Sequence, residues 1–268
     1  MIHDLAIATH NIRAMGKGIV GIRKRCDLRD FYRKATPQPQ VILLQEHHMS
    51  LEECFTQTQQ IHFKGGICLW NNATFSAESG RFKGGTGIIM SRHLAPAIQD
   101  SGVIIEATTQ YVILEVNDVT VGILNLYAPN TPGTRAVFWA KLAEHPWPDA
   151  EWVVCGDFNM TENEADRSPG YTGPCMGRRE LGTWTRFAMR LGITDAFLSD
   201  EFRKIGGKRF TWSREEPRPA WSRIDRCYID PKVRERGGKH GIWSTMAHLS
   251  DHAPVFLEIS FRKRTRPP

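Results

Sequence analysis

Apolar and polar residues alternate in two rhythms along this chain, and the switches between them outline its elements. Residues 4–11, DLAIATHN, run apolar and stop at a polar tip, as a strand does. Val20, Ile22, Cys26, Leu28, Phe31 and Tyr32 then recur at helical spacing, until TPQPQ interrupts the chain and VILLQ follows as a fully buried strand ending at Glu46. Ser50 with Glu53 three residues on is a capping box opening a helix over SLEECFTQTQQI. Short β-branched stretches come next, GGICLW, GGTGIIMS, VIIEA, YVILEV and VTVGILNLYAPN, separated by Gly, Asn and Asp turns, with a hairpin expected at NDV. Further helices are predicted over TRAVFWAKLAEH and ELGTWTRFAMRLG, the latter with Leu181, Trp184, Phe187, Ala188 and Leu191 on one face and Gly192 as its stop. EWVVC, RFTW, RIDRCYI and APVFLEISF complete the strands. About ten strands and three or four helices, without repeat or linker, predict two packed sheets flanked by helices over residues 1–261. The basic end, residues 262–268, is expected to be a flexible tail.

Composition narrows the classes. Of 268 residues, 41% are hydrophobic and 24% charged, an ordinary globular balance that argues against disorder. The net charge of +6 is uneven: residues 200–268 hold 16 Lys+Arg against nine Asp+Glu, so the remainder is close to neutral. A basic C-terminal quarter suits an anionic partner. Six scattered cysteines without a C-x-x-C pair read as small buried residues of a reducing compartment, and no apolar run has the length of a signal peptide or membrane span. A monomer, intracellular and away from membranes, is expected.

Polar residues stand at the ends of several apolar strands: Asn11, Glu46, Tyr127 with Asn130, Asp157 with Asn159, Asp225, and Asp251 with His252. One such ending is ordinary turn chemistry, but six in one chain suggest a site built at strand ends. The residue types fit phosphodiester hydrolysis, which needs an aligned water, relief of growing negative charge and a stabilised leaving oxygen. Carboxylate and amide oxygens from Glu46, Asp251 and Asn11 suit a hard dication of the Mg2+ type, with Asp157 to align water and Asn159 and His252 as donors to phosphate. His47 and His48 beside Glu46 read as loop residues, and GRFKGGTGI as a strand-to-strand turn whose Arg81 and Lys83 could reach a backbone phosphate.

Taken in order, THN, LLQE, NLYAPN, GDFN, SRID and SDHAPV span residues 9 to 255. Together they resemble the endonuclease/exonuclease/phosphatase superfamily, which includes deoxyribonuclease I and the exonuclease III-like abasic-site endonucleases. The resemblance implies a four-layer α/β sandwich. It makes Glu46, Asn11 and Asp251 the metal-side residues and Asp157 the residue that orients or deprotonates water, with Asn159 its partner. It makes His252, oriented by Asp225, the contact to the scissile phosphate, Tyr127 and Asn130 phosphate-side donors, and Arg135 a substrate contact. The cofactor implied is Mg2+, with Mn2+ as a substitute.

Two positions depart from the abasic-site branch: Arg13 stands where that branch has an acidic residue, and Ser222 where it commonly has tryptophan. Phe210–Trp212 followed by Ser222–Arg226, with basic flanks, looks instead like the endonuclease domain of LINE-type retrotransposons, where a reverse transcriptase follows. The expected function is nicking of duplex DNA to leave a 3′-hydroxyl and a 5′-phosphate, in the nucleus. The alternatives are abasic-site repair, a phosphodiesterase or phosphatase acting on RNA or phospholipid head groups, and a non-catalytic nucleic-acid binding module.

Overall fold

The computed structural model describes residues 2–61, 66–169, 175–215, 218–244 and 248–262, without the side chains of 57–61. Its first half comprises β1 (Asp4–Asn11), α1 (Gly18–Lys34), β2 (Val41–Gln45), α2 (Leu51–Ile61), β3 (Ile67–Asn71), β4 (Thr74–Ser76), β5 (Arg81–Lys83), β6 (Thr86–Met90), β7 (Ile98–Ile105), β8 (Thr109–Val116) and β9 (Val119–Tyr127). The second half continues with α3 (Pro132–Glu144), β10 (Glu151–Asp157), α4 (Arg178–Leu191), β11 (Thr194–Asp195), β12 (Phe202–Ile205), β13 (Trp212–Arg214), β14 (Ala220–Ser222), β15 (Asp225–Ile229), α5 (Pro231–Arg236), β16 (Gly238–Ile242) and β17 (Val255–Ser260).

Two large sheets carry the architecture. One has the order β12-β16-β17-β1-β2-β6-β3 and the other β11-β15-β10-β9-β8-β7. Three hydrophobic layers alternate with them, and strand periodicity decides which residue joins which layer. Leu5 and Ile7 of β1, Val41 and Leu43 of β2, Val121 and Ile123 of β9, and Val153 and Cys155 of β10 pack between the sheets. The residues between them face outward: Ala8, Ile42 and Leu44 meet Leu28 and Tyr32 of α1, and Leu124, Leu126 and Val154 meet Trp139 of α3 and Trp184 and Phe187 of α4. The result is the four-layer α/β sandwich expected from the sequence.

The inter-sheet face ends in polar residues. Thr9, Gln45 and Asn125 continue the same alternation and are fully buried. Gln45 Nε2 donates to Thr9 Oγ1 at 2.9 Å and to Asn125 Oδ1 at 2.7 Å, while Asn125 Nδ2 donates to the carbonyls of Leu44 and Gly87. These bonds tie the two sheets together just inside their edge, since a buried amide left without partners would destabilise the core.

Several expectations change. Helix α1 buries Gly21, Arg25, Leu28 and Tyr32, one stripe at helical spacing, and leaves Val20 and Ile22 exposed because they lie off it. Leu181 of α4 is likewise exposed, because the stripe runs through Glu180, Thr183, Trp184, Phe187 and Leu191. Short strands such as β4, β5, β11, β13 and β14 have too few residues for alternation to reveal. Helix α5 was signalled by Asp230, whose carboxylate caps Val233 N at 2.8 Å, by Pro231 at its first turn and by Gly237 at its end. The hairpin at Asn117–Asp118 forms with both residues at positive φ, 49° and 65°, as a type I′ turn requires. In the basic end, Arg262 pairs with Asp4 at 2.8 Å, and residues 263–268 lie outside the described residues. No helix among the described residues is long and apolar enough to cross a membrane.

Gly156 fixes the approach of β10 to β9. Its φ is 151°, and a Cβ placed on it would fall inside the van der Waals radius of the Leu126 carbonyl oxygen. Backbone cannot yield as a side-chain tip can. Gly156→Ala is therefore expected to destabilise by about 3 kcal/mol or more, or to prevent soluble expression; urea unfolding of the purified variant measures this, and a change under about 1 kcal/mol contradicts it.

Candidate active site

Strand direction brings the predicted residues to one edge. β1 and β2 run parallel, as do β9 and β10, so Asn11, Glu46, Tyr127 and Asp157 all lie at C-terminal strand ends. β15 runs antiparallel to β10 with Asp225 paired to Asp157, and β17 runs antiparallel to β1, so its preceding turn carries Asp251 and His252 to the same edge. A groove of about 640 Å³ there is lined by Arg13, Glu46, Asn130, Asp157, Asp251 and His252 among others. Arg13, Glu46 and Asn159 have positive φ of 44°, 53° and 49°. Such conformations cost of order 1–3 kcal/mol each in non-glycine residues and concentrate at functional sites.

The Asn11 side chain, fully buried, joins the two sheets. Its Nδ2 donates to Glu46 Oε1 at 2.7 Å and to Asp157 Oδ2 at 2.8 Å, while its Oδ1 accepts from Arg13 N at 3.0 Å. Two carboxylates require the amide nitrogen on that side, so Asn11 Nδ2 positions the acids. Asp157 Oδ1 accepts from Asn159 N at 2.9 Å, and Asn159 Nδ2 donates to Ala128 O at 2.8 Å. That amide is thus anchored toward the backbone, rather than only toward a phosphate.

His252 Nδ1 lies 2.9 Å from Asp225 Oδ2, which leaves Nε2 toward the groove. Burial opposes the imidazolium, but the Asp225 charge and hydrogen bond, with Asp157 and Asp251 behind them, raise its pKa to about 9. Asp157 is pushed up to about 7, by burial first and then by Asp225, with His252 and Asn11 opposing. Its carboxyl therefore has the basicity of a proton acceptor near neutral pH. Tyr127 is pushed up by burial and by the Glu46 and Asp157 charges, so its phenol stays a donor. Glu46 is held below its ordinary value: burial would raise it, but bonds from His48, Asn11 and Tyr127 prevail.

Asp251 serves two sides. Its Oδ2 accepts from Arg13 Nη1 at 2.7 Å and from Trp212 Nε1 at 2.9 Å, so it organises two side chains. Its Oδ1 is buried without a hydrogen-bond partner, 4.0 Å from His252 Nε2. Arg135 is corrected. The guanidinium expected to touch substrate is buried, paired with Glu180, and donates from Nη1 to Asn130 O at 2.8 Å. It shapes the Asn130 loop from beneath. The basic flanks of Asp225 are internal too: Arg223 and Arg226 form a buried network with Asp166 and Asp195, at 2.6–3.1 Å.

Four residues had no assigned role in the sequence. His10 Nε2 donates to His252 O at 3.2 Å, and its Nδ1 accepts from Tyr32 OH at 3.0 Å; burial keeps the ring neutral, with a pKa near 3. Ser250 Oγ donates to Asn11 O at 2.7 Å and accepts from His252 N at 3.1 Å. Thr211 Oγ1 accepts from the N–H groups of Ile224 and Asp225, at 3.1 and 3.0 Å. Arg13 was noted only as a departure. Their adjacency to THN, SDH, SRID and FTW was the available signal. His47 is buried and bonded to Asn71 O, whereas His48 Nε2 lies 3.3 Å from Glu46 Oε2.

A dication suits the hard donors here. Asn11 holds one oxygen each of Glu46 and Asp157 within the reach of a single amide, and the surroundings are carboxylate-rich, as oxygen-seeking cations require. Donor atoms of Asp157, Asp225 and His252 also lie within 4.8 Å of one another, but His252 is bonded to Asp225 and held cationic and Asp157 has the basicity of a proton acceptor, which leaves Glu46 as the carboxylate for a cation.

Residues 8–252 match the Endonuclease/Exonuclease/phosphatase family. The chain belongs to that family. It is thus an enzyme of phosphoester cleavage, and this family's nucleases depend on divalent metal. Among curated proteins, the "Transposon TX1 uncharacterized 149 kDa protein" of Xenopus laevis is 24% identical over 224 residues, covering 82% of this chain but 16% of the relative. Among solved structures, a 3′ phosphatase from Neisseria bound to a product DNA hairpin superposes with a TM-score of 0.70 at 17% identity, over 96% of this chain and all of that one. An AP endonuclease from Leishmania major gives 0.69 at 14% identity, over 97% and 89%. These structural likenesses establish the shared fold.

Asp225→Asn should release His252 to the effect of burial, so its pKa falls from about 9 to the ordinary histidine range or below, as measured by NMR titration of the ring. In the wild type this pair's contribution is full below about pH 6.5 and is lost as pH rises through 9, and the variant should lack that dependence. Arg135→Ala should destabilise by about 3–5 kcal/mol through the stranded Glu180 carboxylate. A stable Arg135→Ala protein that only binds DNA less tightly would restore the surface role.

Proposed function

We propose that this enzyme is a Mg2+-dependent DNA endonuclease of the LINE retrotransposon type, nicking duplex DNA to leave a 3′-hydroxyl and a 5′-phosphate. The observation that carries it is the convergence of a proton-accepting Asp157 and a cationic His252 on one groove, beside Glu46. The transposon relative and the DNA bound to the Neisseria phosphatase support nucleic acid as substrate. The chain spans only a small part of the transposon protein, which fits a nuclease that works beside a reverse transcriptase on nuclear DNA.

The chemistry follows from the side chains. Asp157, its two oxygens fixed by Asn11 and Asn159 N, takes a proton as a water oxygen bonds to phosphorus. The P–O3′ bond breaks, and the leaving oxygen takes up a proton. His252 Nε2–H and the Tyr127 phenol donate to phosphate oxygens as their charge grows. Glu46, with the unpartnered Oδ1 of Asp251 on the same groove, would hold Mg2+ or Mn2+, which when bound neutralises phosphate charge. Arg13 on Asp251 places a guanidinium where the abasic-site branch has an acid, which favours a single dication. The same substitution favours the LINE reading over abasic-site repair.

Supercoiled plasmid with Mg2+ should convert to open circle, and chelation should stop it. Asp157→Ala and His252→Ala should each lower the rate on the order of 10²–10⁴-fold. Intact plasmid alongside turnover of another phosphodiester would refute the DNA assignment.

A further inference from the structure

A second polar recess lies behind the Asp225 turn. It has a volume of about 320 Å³ and is lined by Phe197, Lys204, Lys208, Arg209 and His240, together with the Gly206–Gly207 turn. The Phe197 ring is faced by three cations: the Arg223 guanidinium 4.6 Å, Lys204 Nζ 5.1 Å and the Arg209 guanidinium 5.9 Å from its centroid. Arg223 is already neutralised by Asp166 and Asp195. Arg209 has one 3.5 Å contact to Asp166, and Lys204 and Lys208 have no ion-pair partner among the described residues. Positive charge is therefore in excess at this spot, although no strand-end motif of the active site reaches it.

Two buried polar atoms there have no partner. His240 is 3% exposed and its Nδ1 makes no hydrogen bond, and Arg209 Nε is equally unpaired. The Arg209 Nε–H is a donor left open in a basic recess, which is rare in folded proteins and suits an occupant that accepts hydrogen bonds. Gly206, at φ 79°, and Gly207 have open space where a Cβ would stand, so the turn lets a ligand approach the backbone closely. A tetrahedral oxyanion has enough acceptor oxygens to meet ammonium, guanidinium and backbone groups together.

We infer that this recess binds a phosphate group, and that in the working complex the occupant is a backbone phosphate of the nucleic acid away from the scissile bond. The second half rests on the nuclease reading, whereas phosphate binding itself does not. Arg209 stands two residues before Thr211, whose hydroxyl holds the Asp225 turn, so the occupant sits at the root of the His252 partner.

NMR of histidine-labelled protein titrated with inorganic phosphate, against chloride at equal ionic strength, tests the site without turnover. His240 ring signals should shift saturably in the wild type and remain fixed in Lys204→Gln/Lys208→Gln, with His252 signals separating any binding in the active-site groove. Duplex DNA binding in Ca2+ should then give a salt slope shallower in the double variant by about 0.9 per lost contact. A His240 response with an unchanged slope keeps the phosphate site but assigns it to free phosphate. No saturable response at His240 overturns the site, whatever the DNA slope does. A failed plasmid assay beside a normal His240 response would count against the nuclease reading alone.

Discussion

One buried amide holds the active edge together. Asn11 donates both to Glu46, beyond the end of one sheet, and to Asp157, at the end of the other. Two carboxylates on one amide repel each other, and its protons offset that repulsion. Beneath it, Gln45 and Asn125 repeat the same joining one strand step further in, with neutral partners. The site thus depends on how far apart the sheets stand, and that distance is set by the inter-sheet core.

Periodicity explains why these residues and not their neighbours form the site. Leu5, Ile7, Thr9 and Asn11 lie on one face of β1, and Val153, Cys155 and Asp157 on one face of β10. The catalytic side chains are the last members of the series that fills the core, after it has passed the strand ends. Gly156 permits the final step of β10 to lie against β9, which answers why GDFN begins with glycine.

Much of this could be read before the structure. The alternating strands, the Ser50–Glu53 box and the Gly192 stop follow local rules, and the strand-end acids and amides pointed to one edge. What could not be read was pairing. Arg135, Arg223 and Arg226 look in sequence like surface cations for DNA, yet each meets a buried acid contributed by a distant segment, Glu180, Asp166 or Asp195. Asn11 likewise shows its two carboxylate partners only once the sheets are assembled. A side chain's charge is legible from one residue, but whether that charge faces solvent depends on partners tens of residues away.

The seven-stranded sheet draws on both ends of the described chain, for β1 lies between β2 and β17. In synthesis Asn11 and Glu46 precede His252, and the strand that covers the flank of β1, by about 200 residues. A growing chain therefore carries the acids of this edge without His252 until the segment that leads into β17 has been made, and the acids and the imidazole meet only when β17 zips onto β1.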